Sequence, residues 1–278
     1  MSVRIVTDSS SDITQAEARA LGITVVPLKV IFDDTEYRDG IDITNEEFYQ
    51  KLKKSKKLPT TTQPSAMDFQ EAFEEAPEDE IVAVLLASQL SGTVQSAMIA
   101  RESVSEKNIF IVDSLSATLG LRILVMRAIQ LIEEGLSGVE IANVLDKERK
   151  ELILLAVVDT LSYLHKGGRL SKTAALAGGL LGVKPVITLS DGKLEVLGKE
   201  RGLLKAFAFL RDTAEGMGEL DSNRPHSLGY TATSESLEAF SNILGKDYAP
   251  DDAIIDSIGS SIGTHGGPGA IAVAYFKK

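Results

Sequence analysis

Short apolar runs alternate with longer periodic stretches from the first residues onward. Val3 to Val6 has the pattern of a buried strand and ends in the polar cluster Thr7-Asp8-Ser9-Ser10-Ser11-Asp12. A helical segment follows over Gln15 to Leu21 and stops at Gly22, after which Val25 to Ile31 predicts a second strand. Thr44 with Glu47 three residues on is a capping-box pattern, opening a helix toward Lys54. Ile81 to Leu86 and Ile109 to Val112 predict two more strands. Between them Ser91 stands just before Val94, Ala97 and Met98, whose spacing marks one helical face. Strand–helix–strand repetition of this kind implies parallel pairing with crossover helices.

The second half reads differently. Helical stretches near Ser116 to Glu133 and Val139 to Lys150 precede six strand-like runs: Leu152 to Val158, Val186 to Leu189, Leu194 to Leu197, Ser227 to Tyr230, Ala253 to Ser257 and Ala270 to Phe276. Ser190-Asp191-Gly192-Lys193 predicts a hairpin, since Asp-Gly supplies the positive φ of a tight turn. The expected fold is α/β with two α/β domains, residues 1–150 carrying a mainly parallel sheet and residues 151–278 a mixed sheet with helices. The length of 278 residues agrees, being more than one ordinary core needs. No repeat of about 20 to 50 residues is visible, which excludes a solenoid.

Composition narrows the function classes. Hydrophobic residues make up 44% and charged residues 25%, the balance of a soluble globular chain. No run of about 18 apolar residues exists, so no stable membrane insertion is expected. The opening residues are too soon interrupted by Asp8 to form a signal peptide, and a cytoplasmic location is expected. Cysteine is absent, which removes disulfides, thiolate nucleophiles and thiolate metal sites. Against 29 Lys and Arg stand 40 Asp and Glu, giving −11, so nucleic acid is not an expected partner. The compact lysine run, Lys51 to Lys57, is explained by a solvated helix end.

Four polar constellations stand at element ends, where α/β folds keep their sites. They are Asp8 to Asp12, Pro59 to Ser65 with its three threonines, Ser88 to Thr93, and Gly263-Thr264-His265-Gly266-Gly267-Pro268-Gly269. Their common chemistry is hydroxyl and backbone N–H donation, which suits a carboxylate or phosphate at a helix N-terminus. Each also has a plain structural explanation. Ser91 could be an N-cap, Thr60 to Thr62 an extended connection before Gln63-Pro64, the aspartates an Asx-turn, and the glycines a turn. Of three histidines, His265 lies among glycines that let the backbone approach a ligand closely, while His165 and His226 read as structural. P-loop, dinucleotide, zincin and Gly-x-Ser-x-Gly patterns are all missing, and no metal site is expected. Three readings remain: a binder of a carboxylate ligand, a Ser/His hydrolase or acyltransferase acting through Ser91 and His265, and a sugar- or phosphate-binding regulator.

At these same residues the chain resembles the DegV family of bacterial fatty-acid-binding proteins. Val6-Thr7-Asp8-Ser9-Ser10 matches the family's start. Thr60-Thr61-Thr62-Gln63-Pro64-Ser65 resembles its Lys-Thr-Ser-Gln-Pro-Ser segment, with threonines in place of the usual lysine and serine. Leu90-Ser91-Gly92-Thr93, Gly167-Gly168-Arg169 and His265 with Gly267-Pro268-Gly269 follow in family order, an extra glycine standing between His265 and Pro268. The resemblance implies a long-chain fatty acid buried between and within two domains, and no other cofactor. Its carboxylate would be held by Thr61 and Ser91, with Thr62 as a neighbour and His265 near the head group. It further implies no chemistry by the chain itself: a separate ATP-dependent fatty acid kinase would phosphorylate the carboxylate, giving an acyl-phosphate for phospholipid synthesis. The apolar stretch Ala174 to Val183 has the small and aliphatic residues of a tunnel lining, or of a plain buried helix. Residues 166 to 205 hold eight basic and three acidic side chains, +5 in a chain of −11, so Arg169 and Arg201 are expected to dock the kinase or neutralise its transferring phosphate.

Overall fold

The computed structural model describes residues 2–171 and 182–278. The N-terminal strands build a parallel four-stranded sheet in the order β2-β1-β6-β7, from β1 (Val3–Asp8), β2 (Thr24–Val26), β6 (Glu80–Leu85) and β7 (Asn108–Asp113). Its central strand shows why the sequence runs apolar without a break: both faces are covered. Ile81, Ala83 and Leu85 point to one side, where Phe69 and Phe73 of α3 (Ala66–Glu74) and Ala97 and Ala100 of α4 (Thr93–Ser103) pack. Val82, Val84 and Leu86 point to the other, onto α5 (Thr118–Glu133) and α6 (Gly138–Glu148).

The second sheet is mixed and six-stranded, ordered β10-β9-β8-β13-β11-β12. Its strands are β8 (Leu152–Val157), β9 (Val183–Ser190), β10 (Lys193–Arg201), β11 (Ser227–Tyr230), β12 (Ile254–Ser257) and β13 (Ile271–Phe276). Asp191 and Gly192 both take positive φ, 47° and 75°, so the predicted Asp-Gly hairpin closes β9 onto β10. One face packs on α8 (Leu203–Met217) and α9 (Leu237–Leu244) through Phe207, Leu210 and Phe240. The opposite face brings Leu154, Ala272, Ala274 and Phe276 into the same core as α5. This helix is therefore sandwiched between the two sheets, and its buried Arg122 is paired with Glu17 of α1 (Gln15–Leu21) and, at 2.9 Å, with Asp256 of β12.

A third unit covers one end of the parallel sheet. Strand β3 (Lys29–Phe32) pairs antiparallel with β4 (Thr35–Arg38) and β5 (Thr60–Thr62), and α2 (Asn45–Lys54) packs Phe48, Tyr49 and Leu52 against them. The Thr44–Glu47 capping box that opens α2 is present. The single strand expected over Val25 to Ile31 is instead two strands in two sheets. Pro27 has no N–H to donate to a ladder, and the chain changes sheets there. Strand β4 carries no alternation in its sequence because it is a mostly exposed edge, so periodicity does not reveal it.

Candidate functional site

Beta strand β6 ends at Leu85, and the loop Leu86 to Gly92 leaves the carboxyl edge of the parallel sheet, the place where open α/β sheets bind ligands. Gly92, not Ser91, is the N-cap residue of α4, and it makes no side-chain cap. Ser91 thus stands one position outside the helix, its Oγ 2.8 Å from Thr93 Oγ1. Gln63, just after β5, donates through Nε2 to Gly92 O at 3.2 Å and to Ser96 Oγ at 3.0 Å. A Cβ at position 92 would overlap that glutamine side chain, so glycine is needed for the contact. Met98, expected on the buried face of α4, is 41% exposed; the face that packs uses Ser96, Ala97 and Ala100.

His265 lies not in a turn but near the end of a short helix, α10 (Ser260–Gly266). Its Nε2 is 2.9 Å from Thr61 Oγ1 of β5, a bond across 204 residues of sequence. The ring rests against Gly167, where any side chain would collide with Nδ1. Burial, helped by the positive charge of Arg169, pushes the His265 pKa down to about 4, so the ring is neutral around pH 7. Its Nδ1 is buried and meets no hydrogen-bond partner among the described residues.

Arg169 follows α7 (Ser162–Lys166) and folds back on its own turn. It donates from Nη1 to Gly167 O at 2.7 Å and from Nε to Leu90 O at 3.1 Å. It is half-buried, and desolvation lowers its pKa. The contacts run in a closed ring: Thr61 to His265, His265 to Gly167, Gly167 to Arg169, Arg169 to Leu90, and from Ser91-Gly92 through Gln63 back to β5.

This ring borders a cavity of about 480 Å³, which Thr61, Thr62, Ser91, Arg169 and His265 all line. The volume falls within the roughly 300–1,000 Å³ of small-molecule sites. The rest of the lining is mostly aliphatic, with Leu28 and Leu86 from one side and Leu154, Ala156, Ile187 and Leu194 from the second sheet, interrupted by Thr118, Thr188, Thr231 and Ser261. Hydroxyls are not the only donors in the lining, since the Arg169 guanidinium lines the same cavity and its turn is held there by the bond to Leu90. Arg201 is not part of the wall. It is exposed at the far end of β10, about 23 Å along the strand from Leu194 at 3.3 Å per residue. The tunnel-lining expectation for Ala174 to Val183 falls largely, over residues 174 to 181, outside the described residues.

Gln63, Gly92 and Gly167 are ring members that stand inside the recognised motifs, though the motifs alone give them no role in the site. Gln63 sits inside a recognised segment, but only the fold shows its amide clamping α4. A Ser–His–Asp relay does not form: Ser91 pairs with Thr93 and His265 with Thr61. Among the described residues no cluster of three or more His, Cys, Asp or Glu side chains could hold a metal ion, and no helix is long and apolar enough to cross a membrane.

Comparison with known proteins agrees along the full length. The model of the DegV family, described as uncharacterised, matches residues 2–278. A DegV domain-containing protein of Caldanaerobacter subterraneus is 40% identical over 278 residues, covering 99% of each chain. A DegV family protein of Thermus thermophilus, solved in a study of its fatty acid binding, superposes with a TM-score of 0.87 at 34% identity, covering 99% of this chain and 100% of that one. A DegV family protein of Eubacterium eligens loaded with heptadecanoic acid gives a TM-score of 0.89 at 27% identity, with 100% of both chains covered. The fold, the ordered motifs and the match from residue 2 to residue 278 together make this chain a member of the DegV family.

Proposed function

We propose that this protein binds a long-chain fatty acid in the cavity, with the carboxylate at the polar ring and the acyl chain along the aliphatic walls. The observation that carries the reading is the cavity itself, mostly aliphatic in its lining and bordered by the hydroxyl, imidazole and guanidinium groups of the ring. A carboxylate taken from water into such a site needs several donors. Ser91, Thr61, Thr62 and Arg169 offer hydroxyls and a guanidinium, and the neutral His265 completes the set. When Nε2 donates to Thr61 Oγ1, the threonine proton is free for the ligand. In this reading residues 1–150 supply the carboxylate motifs, and residues 151–278 supply much of the acyl wall and His265. The chain performs no covalent step. It presents the carboxylate to a separate ATP-dependent fatty acid kinase, and the acyl-phosphate serves phospholipid synthesis. The solved relatives with fatty acids support the ligand class.

The hydrolase alternative needs a base within hydrogen-bond reach of Ser91, and His265 is engaged with Thr61 instead. Native mass spectrometry of freshly purified protein tests the proposal. A bound mass of a C14–C18 acid is expected; an empty protein that also ignores added oleate would refute it.

A further inference from the structure

Thr61 and His265 meet at 2.9 Å, yet they belong to units far apart in sequence: the β4-β3-β5 sheet and the helix α10. A further side chain joins those units. Asp39 follows β4, and its own N–H donates to Leu28 O at 2.9 Å, fixing it to the entry of β3. The carboxylate is 3% exposed and reaches the start of α10. Oδ1 accepts from Ser260 N at 3.2 Å and from Ser260 Oγ at 2.5 Å, while Oδ2 accepts from Ser261 N at 3.2 Å and from Ser9 Oγ at 3.0 Å. No side chain of α10 itself caps the helix, so this carboxylate from a distant segment takes that place.

Neighbouring bonds converge on the same stretch. Asp12 Oδ1 accepts from Gly259 N at 2.8 Å, Tyr49 donates to Ile258 O at 2.9 Å, and Asn45 Nδ2 donates to Ser257 O at 2.8 Å. All three anchor the approach to the helix; Asp39 alone among them bonds residues of the helix itself. His265 is five residues beyond Ser260, a lever of about 7.5 Å at 1.5 Å per residue. A tilt of about 10° at the cap would move the imidazole by more than 1 Å, enough to break the bond to Thr61.

We propose that Asp39 is a positioning residue for the head-group site: by capping α10 from the sheet that carries Thr61, it sets the spacing between Thr61 and His265. The proposal deepens the fatty-acid reading and rests on it only for the ligand arm of its test. Asp39→Ala removes the acceptor from both N–H groups of α10, whereas Asp39→Asn keeps the shape and one acceptor, so its effect should be intermediate.

With three histidines in the chain, the imidazole resonances are readily assigned by comparison with His265→Gln. In wild type His265 should stay neutral to about pH 4. In Asp39→Ala its midpoint should rise by at least one unit. In the ligand arm, Asp39→Ala should weaken binding of hexadecanoic acid about tenfold while changing hexadecan-1-ol less than twofold. An unchanged His265 titration overturns the proposal, and so does an equal loss for acid and alcohol, which would mean a purely structural role. If Asp39→Ala does not fold, Asp39→Asn carries the same two readouts, and a wild-type response in both refutes the assignment. Should wild type bind neither acid nor alcohol, the fatty-acid reading fails while the histidine arm still decides on Asp39.

Discussion

Ser91 approaches the cavity from the loop after β6 and Thr61 from strand β5, and each already has one neutral partner, Thr93 and His265. A hydroxyl so engaged still has a proton or a lone pair to give, and a carboxylate makes the stronger use of it. Ser91→Ala should therefore cost about 1.5–3 kcal/mol of fatty-acid binding, the range of a hydrogen bond to a charged group. Titration with a fluorescent fatty acid measures this, and unchanged affinity in both Ser91→Ala and Thr61→Val would remove them from the head-group site. Asp12 gives a second residue-scale test. Burial pushes its pKa up to about 8, against the lowering effect of hydrogen bonds from Thr118 and Gly259. Between pH 6.5 and 8 the folded state holds most of this proton, falling to about half at the upper end, while an unfolded aspartate, with its pKa near 3.8, has lost it. The folded state thus binds more protons, and stability falls as pH rises, by about 1–2 kcal/mol across that window. Asp12→Asn mimics the protonated acid, accepting from Gly259 and donating to Thr118. It should flatten the decline seen in urea unfolding at the two pH values; an equally steep decline in the variant would assign the effect to another group.

Elements set the reach of these residues, and the turn after α7 shows how. A Cβ at Gly167 would fall on the imidazole of His265, and Arg169 two residues on donates back to the Gly167 carbonyl. Gly167→Ala adds one methyl against Nδ1. The ring must move, the bond to Thr61 is lost, and fatty-acid affinity should fall about tenfold, the worth of one hydrogen bond. Gly168→Ala is the control in space only: nothing lies near its Cβ, so any effect comes from its φ of 75°. Equal affinity of Gly167→Ala and wild type would mean that the contact has slack. At this scale the sequence was legible wherever burial imposed a period. Strands β1, β6, β7, β8 and β13 and helices α1, α2, α5 and α6 stand within about two residues of their expected places. What escaped was decided by tertiary contacts. Pro27 redirects the chain between sheets, β4 is an exposed edge, and α10 is a short helix whose cap comes from Asp39, 221 residues away. The site motifs were visible as motifs. Their closure into a ring was not, because it depends on Gln63 clamping α4 and on Arg169 folding inward, neither of which has a periodic signature.

Across the whole molecule, charge is distributed in a way that bears on how a kinase would be met. The chain carries −11, and residues 166 to 205 carry +5 within it. That segment divides in the structure. Lys184 is engaged by Asp159, and Arg169 lies in the cavity wall, while Arg201 is exposed at the end of β10 and away from it. The two arginines should therefore separate in experiment. Arg169→Glu places a negative charge beside the ligand carboxylate and removes the bond to Leu90, so binding and acyl-phosphate formation should both fall. Arg201→Glu leaves the cavity untouched, and fatty-acid affinity should stay within about twofold of wild type, as for surface changes generally. Its effect belongs to the encounter, because complementary patches steer association without adding much affinity at equilibrium. Acyl-phosphate formation with the kinase and ATP should drop, most at low salt, where the Debye length exceeds about 10 Å, and should converge on wild type as screening rises. Normal rates for Arg201→Glu at every ionic strength would leave Arg201 an ordinary surface residue, and a salt-independent loss would point to a direct contact with the transferring phosphate instead.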